Sequence, residues 1–304
     1  MSGGGKRILK FLGIFVGIAA IGLGGFVLLQ VKAFDDSLGK VYAVPVPDVQ
    51  RSSDPVVLAR GKHLAESIAG CTSNGCHGPD LAGGNPIVMG PLGQITGPNI
   101  TPSGNAVAYT DGELARLIQH GIKKSGAGAV FMPAQDIGWL PDAEVAAIVS
   151  WLRTVPAVAK ANGPIEIKPL MKVLDRMGAI VADPARRIDH TTREAVPAPE
   201  PTAAYGRFIL RNCAGCHGDH YAGGPIPGAP PEIPVPLNLT PDETGLKGWT
   251  FADFEKAMRQ AVRKNGKALD PFMPVECWKN MDDIELKALW EAVLALPPAK
   301  LGSR

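Results

Sequence analysis

Cys213-Ala214-Gly215-Cys216-His217 sets two thiols three positions apart, with an imidazole directly after the second. On one turn of helix both thiols reach the vinyl groups of a single haem, and the adjacent histidine turns toward the iron. The same residue types also occur in redox dithiols and as half of a zinc site. A zinc site needs further ligands nearby, and His220 is the one candidate. Upstream, Cys71-Thr72-Ser73-Asn74-Gly75-Cys76-His77 ends in the same Cys-His step, with four residues between the thiols. Two attachments are open there. Either the loop bulges and both thiols bond one haem, or Cys76 bonds it alone, since Ser73 stands three positions before Cys76. A second cysteine just upstream of the motif has little other purpose, which favours double attachment. Cys277 reads as a small buried apolar side chain.

These motifs belong to a longer repeat, offset by about 140 residues. Cys76-His77-Gly78-Pro79-Asp80-Leu81-Ala82-Gly83-Gly84 returns as Cys216-His217-Gly218-Asp219-His220-Tyr221-Ala222-Gly223-Gly224. Asn99-Ile100-Thr101-Pro102 returns as Asn238-Leu239-Thr240-Pro241, and Leu152 to Pro156 as Val293 to Pro297. A long period met twice means two duplicated domains rather than a solenoid.

The repeat also selects a second iron ligand for each site. Of eight methionines, Met132 and Met273 match each other, 55 and 56 residues after His77 and His217, both in Phe-Met-Pro. The proline stiffens a loop that must hold a weak thioether on iron. The plainer reading of a methionine is core packing. His190, between the copies, is a minor alternative ligand. His/Met ligation stabilises ferrous iron and leaves no open coordination position, so one-electron transfer is the expected chemistry.

Each copy needs the same elements. A helix leads into the cysteine motif, and a loop rich in Gly, Pro and Asn follows. An amphipathic helix comes next, with Leu114, Leu117 and Ile118 or Phe254, Ala257, Met258 and Ala261 on its apolar face. The methionine loop precedes a last helix that begins near Asp142 or Asp282 and ends before Pro156 or Pro297. No strand of convincing length is evident, so the expected class is all-α with long loops. The expected domains are residues 56–159 and 200–304. A connector over 160–199 holds a short helix at Leu170 to Val181 and the stiff stretch Pro197 to Pro201.

At the N-terminus, Phe11 to Leu29 carries no charge and follows Lys6, Arg7 and Lys10. About 20 apolar residues span a bilayer. The basic flank over residues 1–10 stays in the cytoplasm, with the span at 11–31 and a linker at 32–55. A cleaved signal peptide is the competing reading, but the apolar run is long and no small-x-small site follows it. A formal net charge of +2 argues against a nucleic-acid partner.

Taken together, these motifs resemble the class I cytochrome c family in tandem diheme form, over roughly residues 40–300. Lys40 to Pro47, Arg60-Gly61 and Gly224 to Pro231 add to the likeness. The chain is similar to membrane-bound diheme cytochromes c of bacteria, including subunits that accompany periplasmic dehydrogenases. The resemblance implies two covalent haems c, His/Met ligation and a location in the inner membrane facing the periplasm. The wider spacing at Cys71 and Cys76 departs from the pattern. The leading expectation is an electron carrier between a redox protein donor in the periplasm or membrane and an acceptor such as a soluble cytochrome or oxidase. The alternative is a permanent electron-transfer subunit of a dehydrogenase or respiratory complex. A diheme peroxidase would need one haem with an open position, which a matched pair of methionines opposes.

Overall fold

The computed structural model describes residues 3–304 except 228, 230 and 232, and gives no side-chain account of residues 3–6. The side chain of Lys6, and Gly228 and Pro230 of the stretch after the second motif, therefore lie outside the described residues. Helices take 44% of the chain and strands 4%, so the fold is all-α with long loops.

Helix α1 (Gly3–Gly39) is long and apolar enough to cross a membrane. Its side chains from Ile8 to Leu29 are mostly exposed, as lipid contact would require. The helix does not stop at residue 31. A Lys32–Asp36 pair, one turn apart, continues it past the end of the apolar run. Its last turns then dock on the connector. Phe34 is 1% exposed and packs with Leu92, Met171 and Ala182, and Leu38 joins the same cluster. Burying that ring contributes roughly 2 kcal/mol. Ser37 donates to Asp183 at 2.6 Å, and Lys172 pairs with Asp35.

The connector is accordingly a packed element rather than a bare spacer. Its helix α6 (Pro169–Arg176) is shorter than expected. It ends because Gly178, at φ +81°, takes a left-handed turn. The buried Asp175 accepts from Ala182 N and pairs with Arg186. Strands β1 (Ile87–Val88), β2 (Gly93–Ile95) and β3 (Glu166–Ile167) form a small antiparallel sheet that ties the connector to the loop after the first motif. Close approach there depends on Gly93, whose added Cβ would lie 2.0 Å from the Glu166 carbonyl.

The remaining helices repeat one arrangement. Helix α2 (Pro55–Glu66) crosses α5 (Asp142–Leu152), and α7 (Ala203–His217) crosses α10 (Asp283–Leu294). Both crossings rest on a glycine. A Cβ on Gly61 would meet the Ala147 carbonyl at 2.0 Å, and one on Gly206 the Ala288 carbonyl at 1.8 Å. Helices α3 (Asp111–His120) and α8 (Phe251–Gln260) start in identical capping boxes, Thr110 with Glu113 and Thr250 with Asp253. Asp282 caps α10 as expected, whereas Asp142 is the first residue of α5 and bonds Gln119 and Arg193 instead. One continuous apolar core, with Leu64, Ile68, Ile148, Phe208, Ile209 and Leu289 among its members, runs through both halves.

The halves also meet through charge. Glu285 of α10 is 1% exposed and accepts from His63 Nε2 at 2.8 Å and Arg60 Nη1 at 3.1 Å, both on α2. Its bond to Glu285 raises His63 above the ordinary imidazole range. Burial pushes the Glu285 carboxyl up, but His63 and Arg60 outweigh it and hold the group below its ordinary value. The raised His63 contributes fully below the unfolded value of about 6.5, and that contribution is lost as pH climbs through its folded value. The depressed Glu285 contributes above the ordinary carboxylate range and loses its contribution in acid. His63→Phe copies Phe208, its counterpart in the repeat. It is expected to cost about 2 kcal/mol near pH 6 and progressively less in mild alkali. Thermal unfolding at the two pH values checks this: an equal deficit at both would show that His63 is not charged in the folded chain.

Candidate functional site

His217 closes α7, and its Nδ1 donates to the Leu237 carbonyl at 2.6 Å. His77 Nδ1 donates to the Pro98 carbonyl at 2.8 Å. Burial lowers the affinity of both imidazoles for a proton. Each ring is therefore neutral, with its proton on Nδ1 and the Nε2 lone pair free for a metal.

The accepting carbonyls are themselves held fixed, through residues whose role the sequence did not disclose. Asn99 and Asn238 directly follow Pro98 and Leu237, and both are fully buried. The Oδ1 of Asn99 accepts from Thr101 N at 2.9 Å and Oγ1 at 2.8 Å, and Nδ2 donates to the Val158 carbonyl at 2.8 Å. Asn238 repeats this with Thr240 N and Oγ1, both at 2.8 Å, and the Ala299 carbonyl at 2.6 Å. The repeated Asn-x-Thr is thus a clamp that ties the histidine's acceptor loop to the segment beyond the last helix. The repeat was the signal for it.

The wide first motif keeps one feature of the narrow one. His77 N donates to the Cys71 carbonyl at 3.1 Å. In α7 the same step is the ordinary helical bond from His217 to Cys213 four residues back. The extra residues loop out between, with Cys76 N bonded to Ser73 O and Gly75 N to Ser73 Oγ. Burial pushes the Cys71 and Cys213 thiols up to about 12, and those of Cys76 and Cys216 upward as well. Reactive redox thiols and zinc thiolates need the opposite environment. The donor set suits thiols destined for an apolar macrocycle.

Met132 and Met273 occupy matching turns. Pro133 (φ −79°, ψ 52°) and Pro274 (φ −76°, ψ 57°) are centres of inverse γ-turns. These close through Ala134 N to Met132 O and Val275 N to Met273 O, both at 2.7 Å. Met132 and Met273 are half-buried and pack against the shared core, as do Cys71, Cys213, Tyr109 and Trp249. In the second half, Cys216, His217 and Met273 line one cavity of about 940 Å³, with Leu239, Trp249 and Phe254 among its apolar walls. That volume lies at the upper end of the usual range of about 300–1,000 Å³ for cofactor sites. A haem fits such a cavity by size, by polarity and by donors. His190 sits elsewhere, with Nδ1 3.2 Å from His120 Nδ1 and its ring edge-on to Tyr42.

A family model described as cytochrome c matches residues 58–156. Residues 58–156 are a cytochrome c domain. The relatives similar to this chain are parts of dehydrogenases. One is a nicotinate dehydrogenase subunit of Pseudomonas putida, 35% identical over 94 residues, or 29% of this chain and 8% of that protein. Another is the cytochrome c subunit of the quinone-dependent alcohol dehydrogenase of Gluconacetobacter polyoxogenes, 36% identical over 92 residues, or 28% and 20%. A third is the gluconate 2-dehydrogenase cytochrome c subunit of Pantoea cypripedii, 36% identical over 92 residues, or 28% and 21%. The matched stretch therefore spans about a fifth or less of each relative's length.

For Cys277 and Asp136, too, the sequence did not disclose a place next to the motifs. Cys277 is buried, as expected of a small apolar side chain. Its neighbours, however, are Thr72, Ser73 and Cys76 of the first motif, and burial among them raises its thiol to about 12. Asp136, its counterpart in the repeat, is within electrostatic reach of Arg211 and of Cys213 and Cys216 of the second motif.

Proposed function

We propose that this chain is a two-haem electron-transfer subunit of a membrane-associated dehydrogenase complex. The observation that carries the reading is the company of its relatives: the similar proteins are named as dehydrogenase subunits, two of them as the cytochrome c subunit. This favours the subunit over the free-standing carrier that the motifs alone put first. Residues 56–159 and 200–304 are the two haem domains. The first haem is held by Cys71, Cys76, His77 and Met132, the second by Cys213, Cys216, His217 and Met273. Helix α1 anchors the chain in the inner membrane, with residues 1–10 in the cytoplasm and the haem domains in the periplasm. The docking of Phe34 and Leu38 on the body supports a helix that stays attached.

When bound, haem c supplies a reversible one-electron couple. The chain's own residues do the rest. The cysteines fix the macrocycle, and the Asn-clamped carbonyls hold each imidazole in one tautomer and orientation. The prolines restrict the methionine loops, and the apolar walls exclude water and favour the less charged ferrous state. Purification from detergent-solubilised membranes tests the assignment. A flavin-, quinone- or molybdenum-containing dehydrogenase subunit is expected to copurify; a haem protein found alone in the soluble fraction would contradict it.

The wide motif has its own test. With both thiols bonded, Cys71→Ala leaves a haem held by one thioether, and its reduced absorption band moves slightly to the red because one vinyl group rejoins the conjugation. An unchanged spectrum, or a parent Cys71 that reacts with a thiol reagent after denaturation, would mean attachment through Cys76 alone.

A further inference from the structure

We propose that the apolar hairpin tip between β1 and β2, together with the first turn of α6, seats in the headgroup layer of the bilayer that α1 crosses. The inference rests on the reading of α1 as an anchor and adds a second, lipid-facing surface on the body. Pro86-Ile87-Val88-Met89-Gly90-Pro91-Leu92 carries no polar side chain. It turns the chain from β1 into β2, with Val88 opposite Gln94. Exposed turns are ordinarily polar. Here Val88 is 67% exposed, Gly90 and Pro91 are exposed beside it, and so is Leu170 of α6. The backbone of the tip is satisfied from within the protein. Met89 N donates to the Gly93 carbonyl and Leu92 N to the Met89 carbonyl. The Gly90 and Leu92 carbonyls accept from Lys168 Nζ and N, and Pro91 has no N–H. Such a turn loses little when lipid replaces water around it.

The anchor sets the depth. Helix α1 is continuous from the apolar span to Gly39, so no hinge separates the bilayer from the docked turns. Phe34 stands three residues past Val31, about 5 Å along the axis. The headgroup layer extends roughly 5–8 Å beyond the hydrocarbon on each side. Leu92, at the end of the tip, shares one buried cluster with Phe34. Cover on that face of α1 begins lower still: Val27, Gln30 and Val31 are half-buried, while Leu28 and Leu29 are exposed. Helix α6 climbs beside α1 in the same direction. Lys172 reaches Asp35, and Asp175, three residues on, accepts from Asp183 N, whose carboxylate accepts from Ser37. The first turn of α6 is therefore its membrane-ward end, and Lys168 ties the tip to it. The charges fit lipid phosphate. Asp35 and Asp36 are neutralised by Lys172 and Lys32. Over residues 168–180 the one acid, Asp175, is buried and paired with Arg186. Lys168 Nζ lies 3.3 Å from the Gly90 carbonyl and pairs with no carboxylate among the described residues, which leaves a cation at the tip for a phosphate. The repeat puts this contact on one half. Phe131, ahead of α4 (Ala134–Ile137), joins the cluster around Phe34, whereas its counterpart Phe272, ahead of α9 (Val275–Trp278), is exposed.

The experiment uses the full chain, purified alone and reconstituted into vesicles of phosphatidylcholine and phosphatidylglycerol. Val88→Cys, Leu170→Cys and, in the second half, Ile284→Cys each carry a nitroxide spin label. All three side chains are exposed, so the substitutions leave the core intact. The unsubstituted chain, treated alike, gives the background from its own cysteines. Collisions are read with oxygen, which concentrates in lipid, and with a water-soluble nickel chelate. The labels at 88 and 170 are expected to show an oxygen-to-nickel ratio several-fold higher than the label at 284. The same vesicles are extracted with alkaline carbonate. A chain that resists extraction, but whose labels at 88 and 170 match the one at 284, would overturn the lipid contact alone. So would labels that become shielded only when a dehydrogenase subunit is added, which would give the tip to that protein. A chain released by carbonate would overturn the anchor and the contact with it.

Discussion

Met273→Ala and Met132→Ala are each expected to lower the potential of one haem, on the order of 0.2 V within the roughly 0.8 V that axial ligands command. A thioether is a weak donor that favours ferrous iron, and its loss shifts the balance toward ferric. Each variant should also remove one share of the weak near-infrared charge-transfer band of ferric Met-ligated haem. The matched inverse γ-turns at Pro133 and Pro274 are the geometric reason to expect equal behaviour from the two sites. The turn fixes the methionine backbone independently of the iron, so the loop should survive the substitution. Potentiometric titration and near-infrared spectra of the single and double variants check this. A double variant that keeps the band would show that both ligands lie elsewhere.

Gly206→Val is expected to destroy the second haem site altogether. Even an alanine Cβ there would lie 1.8 Å from the Ala288 carbonyl, well inside contact distance, and the obstacle is backbone. Helices α7 and α10 would have to separate, opening the packing around Phe208, Leu286 and Leu289. Overpacking alone costs about 1–3 kcal/mol, and a rigid backbone obstacle sits at or above the top of that range. Because α7 carries Cys213, Cys216 and His217, the haem site goes with the crossing. Gly215→Ala is the control: its Cβ meets nothing within 4 Å, and it lies inside the motif itself. Haem-stained gels and far-ultraviolet circular dichroism distinguish the two. Full haem content in Gly206→Val would mean that the helix crossing does not support the site.

Much of the site was legible because its signals are local. A Cys-His step, a capping threonine with an acid three residues on, and Phe-Met-Pro each act through neighbours in sequence, and duplication showed which of them matter. The unforeseen features depend on distant partners. Asp136 and Cys277 share a place in the repeat but not a residue type, and each faces the half it does not belong to. No local pattern reports that. The helix runs on past the expected span: apolar composition stops near Lys32, whereas helical hydrogen bonding continues to Gly39 with Phe34 docked on the body. The connector's polar and proline-rich composition likewise hid the buried Asp175 and its half-buried partner Arg186. Strands as short as β1 to β3 carry too little pattern to be read at all.

The central claim is that both halves carry a covalent haem, the first despite its wide motif. The most direct measurement is haem per polypeptide, taken as a pyridine haemochrome titration against protein mass, with a haem-stained denaturing gel to establish covalent attachment. Two haems per chain is the expected result. A value of one, with Cys71 and Cys76 free to react with a thiol reagent, would contradict it.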